Sequence, residues 1–573
     1  MGRLVLVAAG RWGRKTLLER RVGRGWTKVT PAHLIGPAAG PVRRSPRLTI
    51  APICQAAGPA GDGASEFSRC TLCISPKGGA RAGGDRAHNE ERENIMEMSR
   101  RGFVAGAAGM AVATMGATVA FDADGKVVSQ AHALDAHPDV PAKAGIDGVT
   151  QLDQLDAMCP EWVDPTTYRY PLTDLTTIEM TDEDVTFDDG TVIPAVYVNL
   201  RNRINHMGKG LGSEPDSTSY QMLMSNWTEE EAAWELEMPL LSIFNAYDYS
   251  LASGRTVEEC QEILTHMAGK CLIYHMNRGD ADYYMLLPHI NGWWEFTELK
   301  AYFTAKEAGE DTVARMAEFN ADNVWGVNGA GWDDFDNTFP LFRTYPISED
   351  VIAEDEFLPY NDWRAIIKRH KTITVSPCQC RLMWEGIGVP FPEEHPRRTC
   401  LSLGEMAEYF IEQGIGEQIT QDEAIAIYED AIETGMVVES IATKDADIMC
   451  LCHGSSCGNL MGFKGMALNG LPAWKNFNGY WLDYDAEKCI KCGACVERCP
   501  MEAIALDGPD GACTHNLACV RCGQCIKVCP AEARILRARE DYPAHALPED
   551  YLDSHRSIAM ERLHRDNIVD FVG

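Results

Sequence analysis

Three stretches of the chain open with the same polar signature and continue with apolar residues at helical spacing. Thr228-Glu229-Glu230-Glu231, Thr256-Val257-Glu258-Glu259 and Thr420-Gln421-Asp422-Glu423 each offer a hydroxyl to the N–H three residues on, and a carboxylate that returns the bond. The third opens DEAIAIYEDAIETG, in which Ala424, Ile427 and Ala431 share one face and Gly435 is the expected terminator. The second opens TVEECQEILTHMAGK, where Ile263, Leu264 and Met267 make the buried face. CLIYHM and YYMLLP follow, two β-rich runs around a polar Asn277-Arg278-Gly279-Asp280 turn, which predicts a hairpin. Helix, helix, hairpin is a winged-helix-like order. Further on, Trp293, Trp294, Trp325 and Trp332 stand among Gly, Asn and Asp; they either line a pocket for a planar ligand or fill core and interface.

A different apolar pattern lies upstream. Residues 99–121 read SRRGFVAGAAGMAVATMGATVAF. Arg100 and Arg101 ahead of a weakly apolar, Gly/Ala-rich run from Gly102 to Phe121 give the form of a twin-arginine export leader, with Ala131-His132-Ala133 as a small-x-small cleavage site. The alternative is a retained membrane anchor, for which the run is long enough but only weakly apolar. Such a leader works near an amino terminus. Residues 1–95 are therefore either a disordered extension or upstream sequence before a true start at Met96 or Met98, and we read the second. Cys54, Cys70 and Cys73 fall in that stretch and are discounted as ligands.

Charge sharpens the division. Residues 1–95 hold 16 Lys+Arg against 7 Asp+Glu, whereas the whole 573-residue chain carries a net charge of −32. So negative a body repels nucleic acid and anionic membranes. The would-be recognition helix TVEECQEILTHMAGK has three glutamates and one lysine, which fits structure or partner docking rather than DNA. The sequence has no glycine-rich phosphate loop and no Ser-His-Asp pattern.

The cysteines carry the chemistry. CIKCGACVERCP (489–500) and CVRCGQCIKVCP (519–530) each have C-x2-C-x2-C-x3-C-P spacing, the pattern in which the fourth cysteine of each run serves the other cluster. Cys489, Cys492, Cys495 and Cys529 are then expected on one [4Fe–4S] cluster, and Cys519, Cys522, Cys525 and Cys499 on a second. Gly493 and Gly523 permit the tight turns, and Pro500 and Pro530 set the exit direction. Zinc or disulfides are the alternatives, but zinc favours paired C-x2-C knuckles. Clusters built in the cytoplasm require an exporter that accepts folded cargo, so leader and clusters predict one another.

A second constellation precedes them: TVSPCQCR (374–381), Cys400 and CLCHGSSC (450–457). Cys378, Cys380, Cys400, Cys450, Cys452 and Cys457, with His453 adjacent, suggest a third metal centre, most naturally iron–sulfur. Arg381 is placed to offset thiolate charge, and Gly454 and Gly458 let the backbone wrap closely. Buried thiols, or disulfides formed after export, are the alternatives.

From about residue 220 to 535, WTEEEAAWE, VEECQEILTHMAGKCLIYHM, YYMLLPHINGWWEF, LPYNDW, SPCQCR, CLCHGSSC and the ferredoxin motifs resemble the larger ferredoxin-type proteins of anaerobic bacteria and archaea. That resemblance implies electron transfer rather than a named reaction, and the leader departs from the cytoplasmic members. A weaker resemblance is to corrinoid-dependent reductive dehalogenases, which also join a twin-arginine leader to two C-terminal clusters. PCQCR and CLCHGSSC are foreign to that pattern, and nothing in the sequence demands a corrinoid.

The expected fold is α+β and multidomain: residues 1–95 as extension, 96–133 leader, 134–220 linker and start of the mature chain, 221–345 winged-helix-like and helical, 346–478 Cys-rich α/β, 479–540 two-cluster ferredoxin-like, and 541–573 a tail. The expected function is an exported iron–sulfur oxidoreductase, or an electron-carrier subunit with no substrate of its own. It would work at the periplasmic face with a redox partner protein or a membrane quinol-linked subunit, and, as an oxidoreductase, with a small-molecule acceptor.

Overall fold

The computed structural model describes residues 172–188, 190–211, 217–279, 281–323, 341–347, 361–389, 391–468, 479–538, 547–564, 568 and 570–572, with two short hairpins upstream, Leu18–Val22 with Gly25–Val29 and Ala117–Phe121 with Val127–His132. Met96, Met98, the twin arginines, Cys54, Cys70, Cys73, Trp325 and Trp332 lie outside the described residues, and of the apolar run 99–121 only Ala117–Phe121 lies inside, as a strand. Among the described residues no helix is long and apolar enough to cross a membrane.

The first layer is helical: α1 (Ala195–Asn205), α2 (Ser217–Asn226), α3 (Glu229–Glu237), α4 (Ala246–Ser253) and α5 (Val257–Gly269) lead into the hairpin β1 (Ile273–Asn277)–β2 (Asp282–Leu286), then α6 (Trp293–Ala308) and α7 (Thr312–Asn323). Both capping boxes close: Thr228 accepts from the Glu231 N–H at 3.2 Å while Glu231 accepts from the Thr228 N–H at 2.8 Å, and Thr256 with Glu259 repeats the exchange. Helix α5 buries Cys260, Leu264 and Met267, with Ile263 half-buried. The hairpin pairs Ile273 with Leu286 and turns through Gly279 at φ +84°, a left-handed conformation that favours glycine. Trp293 and Trp294 are buried, and Trp293 meets Trp227 edge to face at 4.7 Å. These two tryptophans fill the core.

The second layer is a six-stranded antiparallel sheet. Its strands are β3 (Phe342–Thr344), β4 (Ile373–Pro377), β5 (Arg398–Leu403), β6 (Glu417–Gln418), β7 (Val437–Ile441) and β8 (Ile448–Cys452), in the order β6-β4-β5-β8-β7-β3. Alternation along the strands gives the sheet two different faces. Val375, Leu401, Val438 and Met449 form one core with Trp363, Ile366 and Ile367 of α8 (Trp363–Arg369) and Ala424, Tyr428 and Ala431 of α9 (Gln421–Glu433). The opposite face carries cysteines. Helix α9 has the expected Thr420 capping box and ends at Gly435, φ +99°.

Residues 479–538 form the third part: the ladder β9 (Tyr480–Tyr484) with β10 (Arg534–Ala538), and the smaller pair Ile504–Ala505 with Thr514–His515. Beyond it the chain returns. Helix α10 (Tyr551–His564) packs back on the first layer, where Arg562 donates to the Gly208 carbonyl at 3.1 Å and to Asn205 Oδ1 at 2.9 Å, and Arg556 donates to the Leu241 carbonyl at 2.9 Å. The mixture of helix and sheet agrees with the expected α+β class.

Candidate metal centres

In the third part, each cysteine run folds the same way. Gly493 at φ +82° and Gly523 at φ +90° cap short helices, Ala494–Arg498 and Gln524–Lys527, after a tight loop of two thiols, and each helix carries the third, Cys495 or Cys525. Four residues past each fourth cysteine, a backbone N–H returns to its sulfur: Ala503 to Cys499 Sγ at 3.2 Å, Ala533 to Cys529 Sγ at 3.4 Å. Such donors favour an anionic sulfur.

Cysteines of the two runs come together. Cys489, Cys492, Cys495 and Cys529 line one cavity with Pro530 and Arg534. Cys519 lies within electrostatic range of Cys525, Cys499 and Cys522, and burial pushes its thiol well up, with those neighbours adding to the effect. A fifth thiol, Cys513, also lines the first cavity, 4.0 Å from Cys489 Sγ. Its contact with Cys495 and the Arg534 guanidinium hold it down to about 5 against the burial that opposes ionisation. Sequence reading missed Cys513 because a single cysteine between two motifs carries no spacing signal.

The upstream cysteines converge from three elements. In β8, Cys450 and Cys452 are two apart and therefore share a face. Cys400 of β5 comes into contact with Cys450 on that face. Pro377 ends β4, Cys378 caps the helix Gln379–Gly386, and Cys380 sits in its first turn. Cys457 closes the turn from His453, to which its N–H donates at 2.9 Å. The thiols form an unbroken chain of contacts: Cys378 to Cys380, Cys380 to Cys457, Cys457 to Cys452, Cys452 to Cys450, Cys450 to Cys400. Gly458 N–H points at Cys380 Sγ (3.4 Å) and Gln379 Nε2 at Cys400 Sγ (3.6 Å). Contact with Cys380 and burial push Cys378 well above the ordinary thiol range, whereas bonds from Cys400 and Cys452 hold Cys450 well below it. All the described cysteines are free thiols.

Three further residues complete this chamber. Arg381, 1 % exposed, donates to Ser456 Oγ (3.3 Å), the Pro396 carbonyl (2.7 Å), Thr399 Oγ1 (3.1 Å) and the Leu451 carbonyl (3.0 Å). His453 is held down to about 3 by burial, with repulsion from the nearby His395, Lys464 and Arg381 adding to it, so its imidazole is neutral at neutral pH. Glu439 of β7 stands opposite Cys450 in the sheet register and is fully buried; sequence reading missed it inside the apolar run VVESI.

The two constellations touch. Cys452 and Cys457 share one buried apolar cluster with Cys522, Met501 and Val520, and Cys380, Cys450, Cys499 and Cys519 pack against it. Gly454 N–H donates to the Pro500 carbonyl at 3.1 Å, Gln524 Nε2 to the Met436 carbonyl at 2.7 Å, and Arg498 to the carbonyls of Glu433 (2.7 Å) and Ile432 (2.6 Å). In the first cavity Cys492 is exposed.

Residues 488–533 match the family model of the 4Fe-4S dicluster domain. No curated protein and no solved structure matches the chain. The matched segment makes this an iron–sulfur protein with a ferredoxin-type domain at its carboxyl end, and its chemistry electron transfer.

Proposed function

We propose that the protein is an exported oxidoreductase that carries electrons inward from its surface through two [4Fe–4S] clusters to an upstream iron–sulfur centre. Cys489, Cys492, Cys495 and Cys529 hold the outer cluster; Cys519, Cys522, Cys525 and Cys499 hold the inner one. Cys378, Cys380, Cys400, Cys450, Cys452 and Cys457 supply the upstream centre. The observation that carries this reading is continuity. Exposed Cys492 marks the surface end, and the apolar cluster shared by Cys522 and Cys452 joins the inner thiols to the upstream ones.

The groups themselves supply one-electron chemistry, with potentials tuned by burial and by hydrogen bonds to sulfur. The chain's own residues do the rest. Ala503 and Ala533 N–H groups favour thiolate at Cys499 and Cys529, Arg381 offsets negative charge beside Cys378 and Cys450, and the docking bonds of Arg498 and Gln524 fix the spacing between centres. The winged-helix-like α4, α5, β1 and β2 serve as a packing and partner-docking body rather than a nucleic-acid reader, because α5 presents three glutamates. A redox protein, or a quinol-linked membrane subunit, delivers electrons near Cys492, and a small molecule accepts them upstream.

Iron and sulfide counts with EPR on anaerobically purified full chain test this. About eight irons per chain correspond to the two C-terminal clusters alone, about twelve to an additional four-iron centre. Zinc in place of iron would overturn the reading. Translocation of a reporter fused to residues 96–140, abolished by Arg100→Lys with Arg101→Lys, tests the export.

A further inference from the structure

The upstream chamber holds one oxygen among its sulfurs. A Glu439 carboxylate oxygen and the sulfurs of Cys452 and Cys457 all lie within 4.8 Å of one another, and all three residues are buried. Cys380 is in contact with Cys457 as well. The sheet produces this meeting. In the β7–β8 register Glu439 faces Cys450 and Val437 faces Cys452, so a residue two along from Val437 shares the face that carries both cysteines. On the third strand Thr344 stands opposite Glu439, and its hydroxyl donates to Oε1 at 3.4 Å. Asn459, in the first turn of the helix Gly458–Leu468, sets its amide 3.3 Å from each carboxylate oxygen. These neutral donors orient the carboxylate toward the sulfurs.

We infer that Glu439 is an oxygen ligand to one iron of the upstream centre, in a mixed sulfur and oxygen set with Cys452 and Cys457. This rests on the proposal that the upstream thiols hold iron. Anionic groups packed at ligand spacing in the interior repel one another, and a shared cation removes both that repulsion and the penalty of burying them. An oxygen donor is harder than thiolate and makes its iron unlike those ligated only by sulfur. The ligand set is therefore asymmetric: Cys378, Cys380, Cys400 and Cys450 remain for the other metal positions.

The test compares the full chain with Glu439→Gln and Glu439→Asp, purified without air. Iron is counted, and EPR and Mössbauer spectra are recorded before and after dithionite. The two C-terminal clusters report folding in the same sample. The expected result is that Glu439→Gln keeps their eight or so irons but loses upstream iron or shifts the upstream spectrum, while Glu439→Asp, which keeps a carboxylate, restores part of the parent signature. Upstream iron and spectra identical in parent and Glu439→Gln overturn the assignment and leave the upstream centre standing. A parent with no iron beyond the two clusters overturns both.

Discussion

Gly454 is the position where the proposed electron path is most easily broken without touching a ligand. Its N–H reaches the Pro500 carbonyl at 3.1 Å, and a Cβ added there would collide with that same oxygen while lying 3.1 Å from Lys464 Cδ and 3.3 Å from Met501 Sδ. The lysine and methionine tips can yield. The carbonyl cannot, because Pro500 directly follows Cys499 in the second cysteine set. Gly454→Ala must therefore break the hydrogen bond, worth about 1 kcal/mol net, and part the two bodies locally, for which overpacking costs about 1–3 kcal/mol. The expected loss of about 2–4 kcal/mol falls on the contact between the ferredoxin domain and the sheet. Two readouts separate it from general instability. Protease sensitivity should rise selectively around residues 479–538, and magnetic broadening between inner and upstream centres in fully reduced protein should narrow. Gly269→Ala is the control: its added Cβ meets nothing within 4 Å, and it lies at the end of α5 where alanine favours the helix. Unchanged proteolysis and unchanged EPR in Gly454→Ala would refute the idea that this contact couples the centres.

The remaining predictions concern single groups. Cys513→Ala should keep the full iron count, whereas Cys495→Ala should lose about four irons by elemental analysis, because Cys513 lines the first cavity without belonging to the motif. His275 is pushed above its usual value chiefly by its hydrogen bond to Glu412, 2.6 Å away, with Asp282 adding to the effect. That contribution is complete below about pH 6.5 and lost as pH rises through the raised value. The stability difference between parent and Glu412→Gln, about 1 kcal/mol or less at so exposed a carboxylate, should therefore shrink from pH 6 to pH 9 in denaturant titrations. Chelation of iron should expose residues 479–538 to trypsin while the helical layer persists, since beyond its thiols the ferredoxin core rests on few side chains, among them Leu482, Ile504 and Leu536.

Features set by local spacing were legible in the sequence. The capping boxes at Thr228, Thr256 and Thr420, the buried face of α5 and the hairpin about Gly279 each depend on neighbours within a few residues. Features set by sheet register were not. Glu439 sits in a strand run where one acid reads as a solvent-facing residue, and only pairing with β8 places it opposite Cys450. The two C-x-C pairs show the same limit. Identical spacing yields two sulfurs on one strand face at Cys450 and Cys452, but a helix cap and first-turn residue at Cys378 and Cys380. Helix α10 escaped notice because it buries Ser554, His555, Glu561 and Arg562 beside its apolar residues, a pattern no hydrophobic periodicity reveals.

Arg381 ties these strands of reasoning together. A guanidinium does not deprotonate in the interior, so burying one demands negative charge nearby. Yet the hydrogen bonds Arg381 donates go to neutral acceptors: a serine, a threonine, two backbone carbonyls and, at 3.8 Å, the Met436 sulfur. Among the described residues, Arg381 acts electrostatically on the thiols of Cys378 and Cys450, drawing each toward the thiolate form. A fixed cation spread over five neutral acceptors positions charge without competing for a ligand's lone pair, which is what a thiolate-held metal group requires of its surroundings. The same side chain bonds to Leu451 of β8 and to Ser456 of the turn before Cys457, so it also holds the two segments that bring Cys452 and Cys457 together. On the proposed reading, charge compensation and the placing of the upstream thiols are thus the work of one residue.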